Sequence, residues 1–351
     1  MVNVAIVGCG RISDLHAQAY LTHPDATIVA ICDTNEAFLT QRGEAWGVAQ
    51  DARYLSLDDL LGRDDLDFVD VLVPHHLHYE FAQKIINAGV NLSLQKPMTV
   101  DRDQAVDLIA LANERGVVFK VFENFVFFPP IMLAKKLVEE GEIGDLLGIR
   151  MKSHSGYSPT MWDIPPSTQA WRLKPEECGG GPLVFDDGHH KFAVAWHFLG
   201  AVNNVFAAIG DWKGTGIDSP SIVSWTHING AIGSLEVIYS PDMLVTTKYY
   251  AQDDQLELTG TKGTIWVTRG HGHLRQLPPV MLYSDGKERV FDDVNADWGA
   301  SFIGSGQHFV DALNTNRSPI LTGEQGLEVL DFTIAAQVAA RENRVVTLSS
   351  S

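Results

Sequence analysis

The chain has 351 residues, more than one hydrophobic core usually serves, so we expect two domains. Its formal net charge is -18 and it has no basic run of five or more residues, which argues against nucleic-acid or anionic-membrane partners. The three cysteines suggest no disulfide framework, and no apolar run approaches the roughly 20 residues of a membrane span, so we expect a cytoplasmic protein without a signal peptide.

The first third of the chain alternates between strand and helix patterns. Short apolar runs predict strands at 2–7, 27–32, 68–73, 90–94 and 117–123. Helical spacing predicts helices at 12–21, 76–88 and 101–115, and Gly89 and Gly116 follow the last two as C-terminal caps. Repeated strand–helix units of this kind predict a doubly wound parallel sheet, the α/β Rossmann architecture, over residues 1–124.

The pattern changes after two prolines at 129 and 130. A helix is predicted at 131–140, and further helices at 188–199, 302–314 and 324–342. The remaining segments have strand character, at 147–153, 205–212, 221–228, 233–239, 248–258 and 264–268. We therefore predict that residues 125–351 form an α+β domain with a large, mostly antiparallel sheet covered by helices on one face. Pairing of the other, open face would give a homodimer or homotetramer.

The turn after the first predicted strand has the features of a dinucleotide-binding loop. Gly8 allows a tight turn after the first strand, and Gly10 lets the backbone approach a pyrophosphate at the start of a helix. Ser13 stands where a third small residue is usual. Asp33 ends the second strand, where a carboxylate can hold ribose hydroxyls and would repel a 2′-phosphate, so NAD is expected rather than NADP. A purely structural turn is the alternative interpretation.

Two further groups carry acid–base chemistry. Lys96 ends a predicted strand, at the carboxyl edge of the sheet where ligands of such folds bind, although a solvated surface lysine is the alternative. Asp186 and His190 are four residues apart and share one face if the segment is helical. A histidine near a carboxylate suits removal of a hydroxyl proton during alcohol oxidation. In the alternative, structural interpretation, Asp186 is a helix N-cap and His190 is a core histidine.

These motifs together resemble the Gfo/Idh/MocA family of sugar and cyclitol oxidoreductases, essentially from end to end. The resemblance rests on Gly8-x-Gly10, on Pro74-His75-His76-Leu77-His78, on Gln95-Lys96-Pro97, on Gly179-Gly180-Gly181 followed by Asp186-x-Gly188-x-His190, and on the turn at 258–264. It implies that Lys96, Asp186 and His190 form a catalytic trio, with His190 as general acid or base. It also implies that the cofactor contacts Gly8, Gly10, Arg11, Ile12, Asp33, Val73, His78, Gln95 and Lys96.

Two positions depart from the family pattern. Gln95 replaces the usual glutamate before the lysine, which removes a charge beside Lys96. Val126 stands where family members often have an arginine, so that arginine's role in substrate binding has no counterpart here. Glu123 and Asn124, at the end of the same predicted strand, are candidate substrate ligands in its place.

Aromatic residues before the glycine loop are the other candidates for the substrate site. Tyr157, Trp162 and Trp171 offer flat faces to sugar rings, and Arg172 can donate to hydroxyls or carboxylates, although domain packing explains each residue equally well. The histidines lack the spacing of a zinc site, so no metal is expected. A solvated loop is expected around His271.

The sequence therefore favours an NAD-dependent oxidoreductase that moves a hydride between nicotinamide and a carbon of a sugar, cyclitol or related polyol. Two alternatives stay open. One is an enzyme of the same fold that cleaves or isomerises glycosides without net redox change. The other is a non-catalytic protein that senses NAD or a sugar, for which the retained lysine and histidine have no obvious use.

Overall fold

The computed structural model describes residues 1–163 and 170–348, which divide into two compact units. The first unit comprises Met1–Asn124, Glu176–Gly179 and Phe302–Leu330, and the second comprises the rest of the described chain. The main division of the chain falls after residue 124, and two later segments, Glu176–Gly179 and Phe302–Leu330, pack with the first unit.

The first unit is built on a parallel sheet of six strands. The strands are β1 Val2–Val7, β2 Ala26–Cys32, β3 Arg53–Tyr54, β4 Phe68–Val71, β5 Asn91–Gln95 and β6 Phe119–Phe122. Their order across the sheet is β3-β2-β1-β4-β5-β6, and every pair is parallel. The chain therefore changes direction across the sheet between β1 and β4, the place where such folds bind ligands beyond the carboxyl ends of the strands. The predicted doubly wound sheet is confirmed.

Helices connect these strands, and their ends follow the capping rules. They are α1 Ser13–Leu21, α2 Glu36–Trp46, α3 Leu57–Leu60, α4 His78–Asn87 and α5 Arg102–Arg115. Asn35 caps α2 through its side chain, and Asp101 caps α5 in the same way. The sequence patterns did not reveal α2, α3 or the two-residue strand β3, because that stretch lacks a clear apolar period.

Residues 302–330 belong to the first unit because small residues allow close packing there. A Cβ on Gly306 would lie 2.5 Å from the Ala19 side chain, and one on Gly326 would lie 2.4 Å from Val121. The buried Lys120 of β6 adds a polar link, since its Nζ donates to the carbonyl and the hydroxyl of Ser305 at 2.5 and 2.8 Å. The later helices therefore complete the core of the parallel sheet.

The second unit contains a mixed sheet of nine strands. They are β7 Leu146–Tyr157, β8 Val202–Ile209, β9 Ser221–His227, β10 Ile232–Leu244, β11 Gln252–Gly260, β12 Gly263–Val267, β13 Val280–Ser284, β14 Lys287–Phe291 and β15 Val346–Thr347. The order is β14-β13-β12-β11-β7-β10-β9-β8-β15, and only β7 and β10 pair in parallel. The predicted mostly antiparallel sheet is confirmed. The hairpin of β13 and β14 was missed, although Asp285-Gly286 after the apolar run of β13 is a turn signal.

The two faces of this sheet differ in burial. In β9, Val223 and Trp225 are buried, whereas Ile222 on the opposite face is 48% exposed. Ile232 of β10 is 63% exposed and pairs in register with Thr226. The sheet thus has one covered and one open face among the described residues, as alternation of side chains along a strand requires.

The helices of the second unit include an unusual segment. The helix α6 Pro129–Glu139 follows the prolines, and the helix Gly188–Leu199 is preceded directly by a π-helical stretch, Pro182–Asp187. Of the two helices that close the chain, Gly299–Thr315 belongs mostly to the first unit, and Gly323–Glu342 passes from the first unit to the second after Leu330. None of the described helices combines the length and the apolar character that a membrane span needs.

Candidate active site

The glycine turn after β1 fits a bound pyrophosphate. Gly8 has φ +94°, and a Cβ there would lie 2.7 Å from the carbonyl oxygen of Leu72. A Cβ on Gly10 would meet nothing within 4 Å, so open space adjoins the backbone where the close approach is expected. The helix α1 begins at Ser13, whose hydroxyl donates to the carbonyl of Gly10 at 2.6 Å. The amino end of α1 thus offers N–H groups and a favourable dipole to an anion, while Ser13 stiffens the turn.

Asp33 lies beside this turn, as its position at the end of β2 predicts. Its two carboxylate oxygens accept hydrogen bonds from the backbone N–H groups of Cys9 at 2.7 Å and Asn35 at 2.8 Å. Each oxygen keeps a further lone pair for a ribose hydroxyl. Asp33 therefore joins the glycine turn to the start of α2 and leaves a carboxylate where the adenosine ribose of NAD is expected. Arg11 and Ile12 lie within the same turn.

His78 holds together two loops at the carboxyl edge of the sheet. Its Nδ1 lies 2.7 Å from the carbonyl oxygen of Pro97, and its Nε2 lies 2.9 Å from that of Val73. Burial lowers the pKa of His78 to about 4, despite these two carbonyl contacts, so the ring is neutral and donates to one carbonyl at a time. Any contribution of His78 to cofactor binding is therefore made through the loops that it joins.

Lys96 follows β5 directly and is 8% exposed, which excludes the solvated surface lysine. Its backbone N–H donates to Oε1 of Gln95 at 2.8 Å. The other end of that amide, Nε2, lies 3.0 Å from Nε2 of His16. The side chain of Gln95 thus bends back over its own strand end and fixes the backbone from which Lys96 projects.

A buried polar chain continues from Gln95 into the sheet. His16 Nδ1 lies 2.8 Å from Asp70, which also accepts from the hydroxyls of Tyr20 at 2.7 Å and Ser93 at 2.8 Å. Burial of Asp70 works to raise its pKa, but the contacts with His16, Tyr20 and Ser93 outweigh it and hold the pKa below its usual value. The Asp70 carboxylate therefore accepts a hydrogen bond from the Nδ1–H of His16, and Nε2 is left to accept from Gln95. No sequence pattern pointed to Asp70 or His16.

Asp186 and His190 lie on consecutive stretches of helix. Asp186 is in the π-helical stretch and His190 is in the first turn of the helix Gly188–Leu199, and both are 7% exposed. Asp186 accepts from Nε of Arg172 at 2.8 Å, and the Arg172 guanidinium lies 4.4 Å from the centre of the Trp171 ring. The ring of His190 lies 4.8 Å from that of Phe125. The predicted substrate residues Arg172 and Trp171 are thus joined to the candidate catalytic carboxylate.

The neighbours Asp187 and His189 have different partners. Asp187 accepts from Lys191 Nζ at 2.9 Å and from Gln252 Nε2 at 2.7 Å. His189 is almost fully buried, with Nδ1 2.9 Å from the hydroxyl of Thr333. These contacts hold the helix in the core of the unit. The catalytic roles of Asp186 and His190 stay predictions.

Asp218 anchors the start of the π-helical stretch. Its carboxylate accepts from the backbone N–H groups of Leu183 at 2.7 Å and Val184 at 2.6 Å. Burial raises the pKa of Asp218 to about 6, with a smaller contribution from the charge of Asp186. A Cβ on Gly181 would lie 2.3 Å from this carboxylate. Gly181 therefore allows the approach of Asp218, a reason for the glycine that the sequence does not show.

The other predicted substrate residues have varied surroundings. Trp162 makes edge contacts with the rings of Tyr249 at 5.4 Å and Tyr250 at 5.3 Å, whereas Tyr157 is 52% exposed at the end of β7. Glu123 and Asn124, just after β6, are almost fully buried. Their roles in substrate binding stay predictions.

His271 corrects one expectation. It is 7% exposed and lies 3.0 Å from Asp254, so the segment that contains it is packed and is not a solvated loop. Among the residues that the structure describes, no group of three or more metal-ligating side chains is close enough to hold an ion.

Comparisons with known proteins place this geometry in context. Residues 2–123 match the family described as "Oxidoreductase family, NAD-binding Rossmann fold", and residues 131–266 match the "GFO/IDH/MocA C-terminal domain". The chain is 26% identical to a D-apiose dehydrogenase from Paraburkholderia graminis over 362 residues, covering 99% of this chain and 89% of the relative. It is 28% identical to an uncharacterised protein of Saccharomyces cerevisiae, over 59% of this chain and 58% of that protein.

The fold is shared with solved structures. A levoglucosan dehydrogenase in complex with NADH and levoglucosan superposes with a TM-score of 0.84 at 20% identity, covering 99% of this chain and 100% of that one. Both halves of the present chain match models of one family, in the order that the family has them. The chain therefore belongs to the Gfo/Idh/MocA family of oxidoreductases, and its amino-terminal domain is an NAD-binding Rossmann fold.

Proposed function

We propose that this protein is an NAD-dependent dehydrogenase or reductase of a sugar or closely related polyol, with Lys96, Asp186 and His190 as its catalytic residues. The observation that carries the proposal is the arrangement around Asp186: a carboxylate bound to Arg172, on the same helical run as a nearly buried histidine. Relatives named D-apiose dehydrogenase and levoglucosan dehydrogenase support a carbohydrate substrate.

The roles follow from the chemistry of each group. The glycine turn at Gly8 and Gly10, together with Asp33, would hold NAD, which would supply the hydride chemistry when bound. His190 takes the hydroxyl proton during oxidation and returns it during reduction, a task for which imidazole is suited near neutral pH. Lys96 donates to the reacting oxygen and stabilises negative charge that develops there. Asp186, held by Arg172, orients the substrate hydroxyls.

The contacts around Lys96 support its role. A positioned donor is useful only if its backbone is fixed, since small displacements of a catalytic group cost much of its effect. Gln95 fixes the N–H of Lys96, and His78 ties Pro97 to the loop after β4. The strand end is therefore rigid on both sides of the lysine.

A turnover screen tests the proposal. Purified protein is incubated with NAD or NADP and a panel that contains D-apiose, levoglucosan, D-glucose and myo-inositol, and the absorbance of reduced nicotinamide is followed. We expect turnover with NAD and at least one sugar. His190→Ala and Lys96→Met should each lower kcat by about 10²–10⁴-fold.

Two exposed residues provide matched controls, His76→Ala and Lys84→Met, which should keep wild-type turnover. Full activity of His190→Ala would contradict the assigned roles. Tightly bound NAD that never exchanges, together with glycoside cleavage, would instead favour the alternative without net redox change. Binding of NAD and sugar with no turnover of any kind would favour a sensor protein.

We also propose that the open face of the nine-stranded sheet pairs with a second copy of the chain. Apolar side chains on neighbouring strands of this face are exposed, namely Phe206, Ile222, Ile232 and Tyr283. Charged pairs share the face, including Arg150 with Glu257 at 3.0 Å. A face with both apolar and charged groups across many strands is typical of subunit interfaces.

A further inference from the structure

A histidine of the second unit, His271, is oriented by a carboxylate. His271 follows β12, and its side chain is only 4% exposed. Its Nδ1 lies 3.0 Å from Oδ2 of Asp254. A carboxylate on one ring nitrogen fixes the ring and its tautomer, so that the other nitrogen faces away from the carboxylate with a defined hydrogen-bonding role.

Asp254 is itself held in place from its other side. Its Oδ1 accepts from Lys191 Nζ at 3.1 Å and from Gln252 Nε2 at 2.9 Å. Burial of Asp254 works to raise its pKa, but the charge of Lys191 and the contact with His271 outweigh it and keep the group ionised. Because Asp254 is an acceptor, the Nδ1 atom of His271 carries the proton that lies between them.

The other ring nitrogen of His271, Nε2, has no hydrogen-bond partner among the described residues. The ring is enclosed by aromatic side chains: Trp298 at 4.5 Å, Phe125 at 5.2 Å and Tyr250 at 5.5 Å between ring centres. Polar atoms of nearly buried side chains in folded proteins are satisfied by the protein, by water or by a ligand. His271 therefore has an acceptor that the fold itself does not use.

This acceptor belongs to the same cluster as the candidate catalytic base. Phe125 contacts the ring of His271 and also that of His190, at 5.2 and 4.8 Å. Trp162, a predicted substrate residue, contacts Trp298 at 6.1 Å and Tyr250 at 5.3 Å. Proteins bind sugars and similar ligands with aromatic surfaces and one or two oriented polar atoms.

We propose that His271, oriented by Asp254, binds a hydroxyl group of the polyhydroxylated substrate through Nε2 and so determines which sugars are accepted. The proposal rests on the proposed sugar oxidoreductase function and adds a specificity residue to it. With the Nδ1 proton directed at Asp254, Nε2 accepts a hydrogen bond from the hydroxyl. A sugar that lacks this hydroxyl leaves Nε2 without that hydrogen bond among the surrounding aromatic rings, and such mismatches give strong discrimination.

Two substitutions of His271 test its two ring nitrogens separately. In His271→Asn, the amide nitrogen occupies the place of Nδ1 and keeps the contact with Asp254, but nothing replaces Nε2. We expect KM for the sugar turned over fastest to rise about 10- to 100-fold, with kcat and NAD affinity little changed. In His271→Gln, the amide reaches the place of Nε2, and part of the sugar affinity should return.

His273→Asn is the matched control, because His273 Nε2 has a partner in Gln276 at 2.9 Å. It should leave KM unchanged. Monodeoxy analogues of the sugar supply a second comparison. One analogue should bind weakly to wild type and lose nothing further in His271→Asn, since the lost hydroxyl and the lost acceptor are partners. Equal, additive losses with every analogue would overturn the proposal.

A binding measurement distinguishes failure of this proposal from failure of the proposed function. The ring-nitrogen NMR signals of His271, assigned with His271→Asn, are followed in the NAD complex as levoglucosan is added. A shift of Nε2 supports the proposal. Turnover of levoglucosan with an unmoved Nε2 signal and an unchanged KM in His271→Asn overturns it alone. Binding of NAD with neither turnover nor binding of any sugar in the panel overturns both.

Discussion

The side-chain amide of Gln95 donates to Nε2 of His16 across 3.0 Å, while its oxygen accepts from the N–H of Lys96. Because His16 donates its Nδ1–H to the Asp70 carboxylate in a hydrogen bond, its Nε2 carries a lone pair, and only a donor fits there. A glutamate at position 95 would put an acceptor against an acceptor. Glutamine, in place of the family's usual glutamate, therefore fits the free acceptor on Nε2 of the buried His16.

This relationship predicts the behaviour of Gln95→Glu. The new carboxylate would place an acceptor against the lone pair of His16 Nε2, so the strand end that carries Lys96 loses this contact and kcat/KM should fall roughly 10-fold. Steady-state kinetics measure this, and Gln83→Glu on α4 is the control for the same change elsewhere. An unchanged kcat/KM in Gln95→Glu would contradict the interpretation.

Arg172 should matter through Asp186. In Arg172→Met, the buried carboxylate of Asp186 loses a charged donor, and hydrogen bonds to charged groups contribute about 1.5–3 kcal/mol. We expect kcat/KM for the sugar to fall roughly 10- to 100-fold, with NAD affinity unchanged. Arg150→Met removes an exposed arginine from its pair with Glu257 and should have no effect on turnover. Similar losses in both variants would argue against a specific role for Arg172.

Asp218→Asn should loosen the start of the helical run that carries Asp186. An asparagine offers one acceptor to the two N–H groups of Leu183 and Val184, so unfolding free energy should fall by roughly 1–3 kcal/mol. Asp211 is exposed and also accepts a backbone N–H in a turn, so Asp211→Asn should lower the free energy of unfolding by less.

The same variant tests the titration of Asp218. The pKa rises from 3.8 to about 6 on folding, because burial opposes the charged form. The folded state therefore binds the proton more tightly, and this stabilisation is complete below pH 3.8 and lost as the pH rises through about 6. Denaturant unfolding across this window should show the decline in wild type and a smaller decline in Asp218→Asn. The same decline in wild type and in Asp218→Asn would show that Asp218 does not cause it.

Lys120 should give the opposite pH dependence. Burial lowers its pKa from 10.5 to about 7, although the charges of Asp70 and Glu123 act against this. Between these values the unfolded chain holds the proton and the folded chain does not, so this group makes stability rise with pH from about 7 to 10.5. Lys120→Met should flatten that rise in urea unfolding. A variant with the wild-type slope would show that the lysine stays charged.

The open sheet face predicts self-association. Ile222→Glu and Ile232→Glu would place charges on an apolar surface that a second copy covers, so each should raise the dissociation constant roughly tenfold or more. Met132→Glu changes an equally exposed apolar residue on α6 and serves as the control. Light scattering of wild type should give a multiple of the 38.6 kDa chain mass. A monomeric wild type would exclude the interface.

The sequence by itself determined the features that depend on local order. Apolar runs that end at Gly8, Asp33 and Lys96 identified the parallel strands and the edge where ligands bind, because strand period and turn chemistry are properties of neighbouring residues. The spacing of Asp186 and His190 placed both on one helical run for the same reason. Motif order was enough to identify the family.

Only the tertiary structure decided which partners these groups have. Contacts such as Gln95 with His16 or Asp254 with His271 join residues that are distant along the chain, and no local pattern encodes them. Burial is likewise a property of the fold, and it separates His271, enclosed and oriented by a carboxylate, from a loop histidine of the same composition. Hydrogen-bond geometry and exclusion of water, which set the chemistry of each group, arise only when the chain is packed.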